Sequence, residues 1–416
     1  MSDHESGSSP GLLNRWPARR WPRAITRIAV LLSLVACVSL AACVSPPRGT
    51  RRWSIPRTIA DSVHTETLAA GVQLHRLVNL TKPWRAFVLD IDLDACVSVR
   101  SVKGGPVAVG RTTTSALLAG LAAPTRPLAA VNADFFLFAP PGIPTGAHIE
   151  EGVVVSGPIA RPVFTMSRRG EPAIGQLTVT TTLRTPRATF TVGAWNRPAR
   201  GVPGIIDAAW GVALDSTIAR TVWQLVPVAG GRRRFVATER GHDEPRRARA
   251  DTLFVVELPD TGNTRVLRTS DTVEVVRMIS PHAVNTAVGG FPILLRGSNI
   301  AGGVDSANNA AFRGLNPRTA VGYASGGRRL LLVVIDGRQP GYSVGMTLRE
   351  TAALLRELGA QEGLNLDGGG SSALAIVDDS VSRNVRLVNK PSDAVGERAV
   401  ANALAVVRTS ARSSAR

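Results

Sequence analysis

The sequence predicts a mixed α/β (α+β) fold: a single large domain of strand-rich sheets with a βαβ-like unit near 330–370. Three observations lead there. The apolar run Leu330-Leu331-Leu332-Val333-Val334-Ile335 and the shorter Gly363-Leu364-Asn365-Leu366 both end on Asp-Gly, at Asp336-Gly337 and Asp367-Gly368. Between them, Thr347 to Gly359 places apolar residues at 348, 352, 355 and 358, one face of a helix. Strand-like runs recur along the chain while helical periodicity is rare, and no linker-like break or fixed-period repeat divides it.

The first 42 residues read as a lipoprotein signal peptide. Arg15, Arg19, Arg20, Arg23 and Arg27 form a basic region, and an apolar run follows from Ile28 to Ala42. That run falls short of the roughly 20 residues a membrane span needs. It ends in Leu40-Ala41-Ala42-Cys43, a lipobox pattern that would lipidate Cys43 and make it the new N-terminus. Leu34-Val35-Ala36-Cys37 fits the pattern too but leaves a shorter apolar region, and an uncleaved anchor helix is the other alternative. The expected product is exported and lipid-anchored to a bacterial membrane, facing the periplasm or cell surface. Residues 43–64 read as a tether, 65–408 as the domain, and 409–416 as a disordered tail.

Within the domain, strands are expected at 85–93, 127–132, 252–258 and 272–276, and a short helix over 115–121. The helix after Thr347 has its own start and stop signals: Thr347 as N-cap, Glu350 at the capping-box position, and Gly359 at the end. If the strands on either side of it run parallel, both Asp-Gly ends open on one edge of the sheet, where open α/β sheets place ligands.

Charge and cysteine usage exclude several functions. The net charge is +18, but arginine supplies nearly all of it, since Lys82, Lys103 and Lys390 are the only lysines. The basic runs at 232–234 and 246–249 lie in loop-like sequence, and no recognition helix or stacking platform accompanies them, so nucleic acid is not an expected partner. Attraction to an acidic envelope glycan or lipid head group fits the charge equally well. With Cys43 lipidated, Cys96 is the one other cysteine of the mature chain, which leaves no intramolecular disulfide and no zinc cluster.

The stretch Asn365-Leu366-Asp367-Gly368-Gly369-Gly370-Ser371-Ser372 carries the most chemical information. Glycines directly after a carboxylate let a small polar ligand approach bare backbone. A hydrolase elbow is excluded, because Ala373 replaces its second glycine and no histidine follows Ser371. Asp305-Ser306-Ala307-Asn308-Asn309 offers oxygen ligands without calcium-loop spacing and reads as a polar loop.

Six segments occur in the order found in the phosphodiester glycosidase family, which this chain resembles over roughly 65–408 and most densely from 285 onward: Val131-Asn132-Ala133-Asp134-Phe135-Phe136, Val288-Gly289-Gly290-Phe291-Pro292, Asn316-Pro317-Arg318-Thr319, Asp336-Gly337-Arg338, the glycine turn, and Asn389-Lys390-Pro391-Ser392 through Glu397-Arg398. The family usually has glycine after the asparagine of the first segment, where this chain has Ala133-Asp134, so the place of Asp134 is left open. An animal member of the family removes N-acetylglucosamine from a phosphate. The resemblance implies a hydrolase that cleaves a sugar-1-phosphodiester at C1–O, on a phosphorylated envelope or exopolysaccharide glycan.

That reaction needs cations and N–H donors for the phosphate and a carboxylate for water or an oxocarbenium-like centre. Asp336 and Asp367, with Glu150 as a third, are the catalytic candidates. Asn132, Asp134, Arg318, Arg338, Asn365, Gly368, Gly369, Gly370, Ser371, Ser372, Asn389 and Arg398 are the substrate-binding ones. No cofactor is expected, although Asp336 and Asp367 together offer an alternative site for a divalent metal. The alternatives to the glycosidase are P–O cleavage by a phosphodiesterase and a non-catalytic phosphoglycan-binding protein.

Overall fold

The strand Arg329–Ile335 is buried at every position, and alternation divides its side chains between two cores. Leu330, Leu332 and Val334 join one hydrophobic cluster and Leu331, Val333 and Ile335 another. This follows from the period of two along a strand, applied to a sheet covered on both faces. The arrangement comes from a computed structural model, which describes residues 53–409 apart from 57, 122–124, 198–203, 212–220, 232, 241–251, 258–266, 282, 305–311 and 379–383. The expected signal peptide, Cys37 and Cys43, the basic run at 246–249 and the loop at 305–309 lie outside the described residues. Among those described, no helix is long and apolar enough to cross a membrane.

The expected α/β class is corrected by the structure, which is β-rich, with 52% strand and 8% helix and two α-helices among the described residues. The central sheet has eight strands in the order Ser62–Ala69, Val72–Asn79, Trp84–Asp92, Arg329–Ile335, Arg318–Ala324, Glu362–Asn365, Ile293–Arg296 and Asn299–Ile300. All its pairings are antiparallel. Arg329–Ile335 and Glu362–Asn365 do run parallel, but Arg318–Ala324 lies between them and pairs with both. Asp336 and Asp367 therefore leave the same end of an antiparallel sheet. A continuous apolar run reads as a parallel strand when helices cover both faces. Here another sheet covers one of them.

That second layer has five strands, ordered Asn384–Leu387, Leu374–Asp378, Arg126–Asn132, Asn402–Arg408 and Val97–Lys103. Its Leu128, Val131, Leu374, Leu404 and Val406 meet Leu74, Leu89, Leu332 and Leu364 of the central sheet in one core. Helix α1, Thr114–Ala119, closes the outer face of the five-stranded sheet through Leu117 and Leu118. Helix α2, Leu348–Glu357, closes the outer face of the central sheet through Leu348, Ala352 and Leu355. Its start is as expected. The Thr347 hydroxyl accepts from Glu350 N and the Glu350 carboxylate accepts from Thr347 N, a capping box that contributes about 1 kcal/mol. A further eight-stranded sheet built from Thr178–Arg184 to Thr272–Ser280 shares a third core with a second five-stranded one that carries His148–Glu150 and Val284–Gly289.

Candidate active site

The glycine turn closes on itself. Gly369 N donates to Pro317 O at 2.9 Å, Ser371 N to Gly368 O at 3.2 Å, and Ser372 N to Gly369 O at 3.1 Å. Three N–H groups expected to face a ligand are thus used within the fold, because the segment Gly369–Ser371 winds as a single 3₁₀ turn. Gly369 takes φ +62°, the left-handed region that favours glycine. The Ser371 and Ser372 hydroxyl oxygens are buried and make no regular hydrogen bond.

Two guanidinium groups pack on the turn. A Cβ on Gly369 would lie 3.1 Å from an Arg338 terminal nitrogen, and one on Gly370 would lie 2.5 Å from an Arg398 terminal nitrogen. Arg338 is exposed and steered by Asn316, whose Oδ1 accepts from Nε at 3.0 Å and from Nη2 at 2.9 Å. Arg398 is fixed through Nε on Asp393 at 2.6 Å. Asp367 sits at the base of the turn, deep in the fold but with part of its surface still accessible. Burial raises its carboxyl to about 6. The Ser371 dipole, the Arg398 charge and the Gly368 amide limit that rise. The turn thus carries two arginines against its glycines and one partly accessible carboxylate at its base.

Asp134, whose place the sequence leaves open, stands behind Asp367. It is almost wholly buried, and Gly146 N donates to its Oδ2 at 2.7 Å. A Cβ on Gly289 would come within 2.5 Å of the same oxygen, so glycine there is a requirement of space. Burial pushes the Asp134 carboxyl up to about 7; the Gly146 amide and the Arg197 charge oppose this and the Asp367 charge adds to it. Arg197 spans this region by donating to the carbonyls of Gly157, Pro144 and Gly146 and to the Ser156 hydroxyl. Sequence reasoning missed Arg197, Gly146 and Asn316: the first two carry no local signal, while Asn316 stands inside a quoted segment.

Burial of Asp134 has a pH consequence. Between about 4 and about 7 the folded chain holds a proton on Asp134 that the unfolded chain has lost, so stability falls as pH rises through that window. Asp134→Asn removes the titration and keeps an acceptor for Gly146 N. It is expected to raise the melting temperature relative to the parent at pH 8 and much less at pH 4. An equal shift at both pH values contradicts the assignment.

Asp336 is placed differently. It is 1% exposed, and both its oxygens are occupied. Asn389 Nδ2 donates to Oδ1 at 2.9 Å, Tyr342 Oη to Oδ2 at 3.1 Å, and Lys390 N reaches both, at 3.2 and 3.0 Å. Burial raises its carboxyl and these donors, with Arg85, hold the rise back. Asn389 also donates to Ser372 O at 3.0 Å and accepts from Leu374 N at 2.7 Å, so the pair clasps the far side of the glycine turn. Asp336→Ala leaves the buried Asn389 amide and the part-buried Tyr342 hydroxyl and Lys390 N–H without their acceptor. The expected cost is about 3 kcal/mol of stability, read by denaturant unfolding. A variant that keeps its stability but loses turnover would place Asp336 in the chemistry instead.

The other nominated residues build the frame. Asn132 donates to Asp367 O at 2.7 Å and accepts from Thr319 Oγ1 at 2.7 Å and Ala373 N at 3.1 Å. Asn365 donates to Phe291 O and Leu366 O. Arg318 is buried and donates to the carbonyls of Met346, Phe312 and Gly314; burial and the nearby Arg338 charge lower its pKa to about 10. Glu150 lies elsewhere. Its carboxylate faces His148 Nε2 at 3.3 Å and accepts from Lys103 N at 3.1 Å, on the wall of a cavity of about 320 Å³ with Pro106, Val155 and Ala209. Among the described residues, no group of three His, Cys, Asp or Glu side chains is placed to hold a metal ion.

In fold, the chain is similar to a hypothetical protein from Synechocystis, with a TM-score of 0.68 and 21% identity over 83% of this chain; it spans 64% of that protein's length. It is also similar to a Burkholderia pseudomallei K96243 protein whose name proposes export, with a TM-score of 0.64, 23% identity, and 86% and 99% of the two chains covered. No curated protein sequence matches it significantly. The family model described as phosphodiester glycosidase matches residues 228–407. Glu150 and the Asn132–Asp134 segment fall outside that match, whereas the glycine turn, Asp336 and the arginines 318, 338 and 398 fall inside. Over residues 228–407 the chain is thus similar to the phosphodiester glycosidase family, the resemblance that the quoted segments from Val288 onward carry.

Proposed function

We propose that the protein hydrolyses a sugar-1-phosphodiester at the C1–O bond, releasing a free sugar and a phosphomonoester, on an envelope or exopolysaccharide glycan. The observation that carries this reading is a partly accessible Asp367 at the base of a turn against whose glycines Arg338 and Arg398 pack, within the matched segment. The diester carries one negative charge and the departing monoester takes on a second as C1–O breaks. Two guanidinium groups beside it therefore bind the transition state more tightly than the ground state, which is the condition for catalysis. The leaving phosphate has a second pKa of about 6, so it departs without a strong general acid.

Asp367 is the carboxylate assigned to the reaction. Asp336 has no free lone pair directed at solvent and Asp134 is sealed behind the turn, which leaves Asp367 to take the proton of the attacking water or to face the positive C1 centre. Export and lipidation at Cys43 are part of the same proposal, supported by the lipobox and by the name of the Burkholderia relative. The test is incubation with a synthetic N-acetylglucosamine-1-phosphodiester and identification of the products. Free N-acetylglucosamine and a phosphomonoester are expected. Sugar-1-phosphate with a free alcohol, or no turnover, would contradict the reading.

A further inference from the structure

The loops that ring the glycine turn expose large apolar side chains. Phe138 is 72% exposed, Val395 87%, Leu80 71% and Leu315 48%. Each loop is tied to the site. The hairpin of Phe136–Phe138 and Pro141–Pro144 runs between Asp134 and Gly146, which are hydrogen-bonded to each other. Val395 lies in the loop between Asp393 and Arg398, which form an ion pair. Leu315 precedes Asn316, the partner of Arg338. Leu80 caps a hairpin whose Pro83 carbonyl accepts from Val344 N, in the loop that follows Asp336. All four loops leave one end of the stacked sheets, the end where Asp367 opens.

Cations stand among these tips. Arg111 lies 5.7 Å from the Phe136 ring and 6.0 Å from the Phe138 ring, and Lys390 Nζ lies 5.0 Å from the Tyr342 ring. Arg313 and Arg338 are exposed beside Leu315 and the turn. None of these four is ion-paired among the described residues. Among the described carboxylates of the rim, Asp393 pairs with Arg398 and Glu350 with Lys82, while Glu397 accepts from Ser115 and Asp61 from Leu80 N. The rim therefore combines apolar tips, aromatic rings and, among the described residues, cations without an ion-pair partner.

We propose that this rim docks on an anionic lipid bilayer, so that the glycine turn meets phosphodiesters carried at the membrane surface. A phosphorylated glycan would account for the cations but has nothing apolar to receive Phe138 and Val395. A single apolar chain on the substrate would be held in one groove, not on four separate loops. A bilayer interface takes both features over a broad face, with apolar side chains below the head groups and Arg and Lys among the phosphates. The expected lipid anchor at Cys43 would hold the chain at such a surface. The docking rests on the proposed activity only for what the docked site cleaves.

The test uses the full chain on vesicles of equal phosphatidylcholine and phosphatidylglycerol with brominated acyl chains, which quench only indoles that reach them. Phe138→Trp places an indole on the rim, and Met278→Trp places one at an exposed position on the sheet of Thr178–Ser280 as control. The added indole at 138 is expected to lose about twofold more emission than the one at 278. Equal quenching at both positions overturns the docking. In a second arm, Phe138→Ser with Val395→Ser is expected to leave hydrolysis of a soluble diester unchanged and to slow that of a vesicle-borne diester about tenfold. Equal rates for parent and variant on vesicles also overturn it. No turnover of either diester, with the quenching contrast intact, overturns only the assigned activity.

Discussion

Gly369→Val is expected to abolish turnover, by about a thousandfold or more, in a protein that still folds. Two effects act together. The backbone there has φ +62°, which a β-branched residue tolerates only at a cost of roughly 1–3 kcal/mol. The new Cβ would also stand 3.1 Å from the Arg338 guanidinium, and the valine methyls would project beyond it. Arg338 can swing away because it is exposed, so the fold survives, but the cation leaves the position where phosphate charge develops. Loss of that electrostatic partner accounts for the expected fall in rate. The check is kcat and KM beside a denaturant midpoint. Full turnover in a folded variant would reduce the glycines to an ordinary turn.

Asp367→Asn is the second large effect. The substitution keeps the shape and the backbone bonds to Ala133 O and from Asn132, and it removes only the charge. It should lower kcat by about 10²–10⁴ while changing KM far less, since a positioned base acts in the transition state. The pH dependence follows from the raised carboxyl. Asp367 must be ionised to work and titrates at about 6, so kcat/KM of the parent rises with pH through that value and is lost below it. In Asp367→Asn the acid limb centred there should vanish from the residual rate. A variant that retains the same limb would move the titration to another group, with Asp134 the nearest raised carboxyl.

Local features of this chain were legible because they are written within a few residues. The Thr347–Glu350 capping box and the buried face of α2 need one turn of sequence, and both occur as expected. The strand ends at Asp336 and Asp367 were legible from apolar runs that stop on Asp-Gly. Fold class was not, because a run buried on both faces looks the same whether helices or a second sheet cover it. The site divides in the same way. Arg338, Arg398 and Asp367 stand in short motifs, and the fold gathers them around the glycines. The fates of Asp134 and Asp336 depend on distant partners, Gly146 and Arg197 for one, Asn389 and Tyr342 for the other. No spacing along the chain distinguishes a carboxylate saturated by donors from one open to water.

The central claim is that water attacks carbon, not phosphorus, and its most direct measurement is hydrolysis in ¹⁸O-water. With Asp367 assisting and Arg338 and Arg398 holding the departing phosphate, the water oxygen ends on C1 as the new hydroxyl. The original bridging oxygen stays on phosphorus. Mass spectrometry is predicted to find the label in the sugar and none in the phosphomonoester. Label in the phosphate would contradict the account and assign the same residues to P–O cleavage.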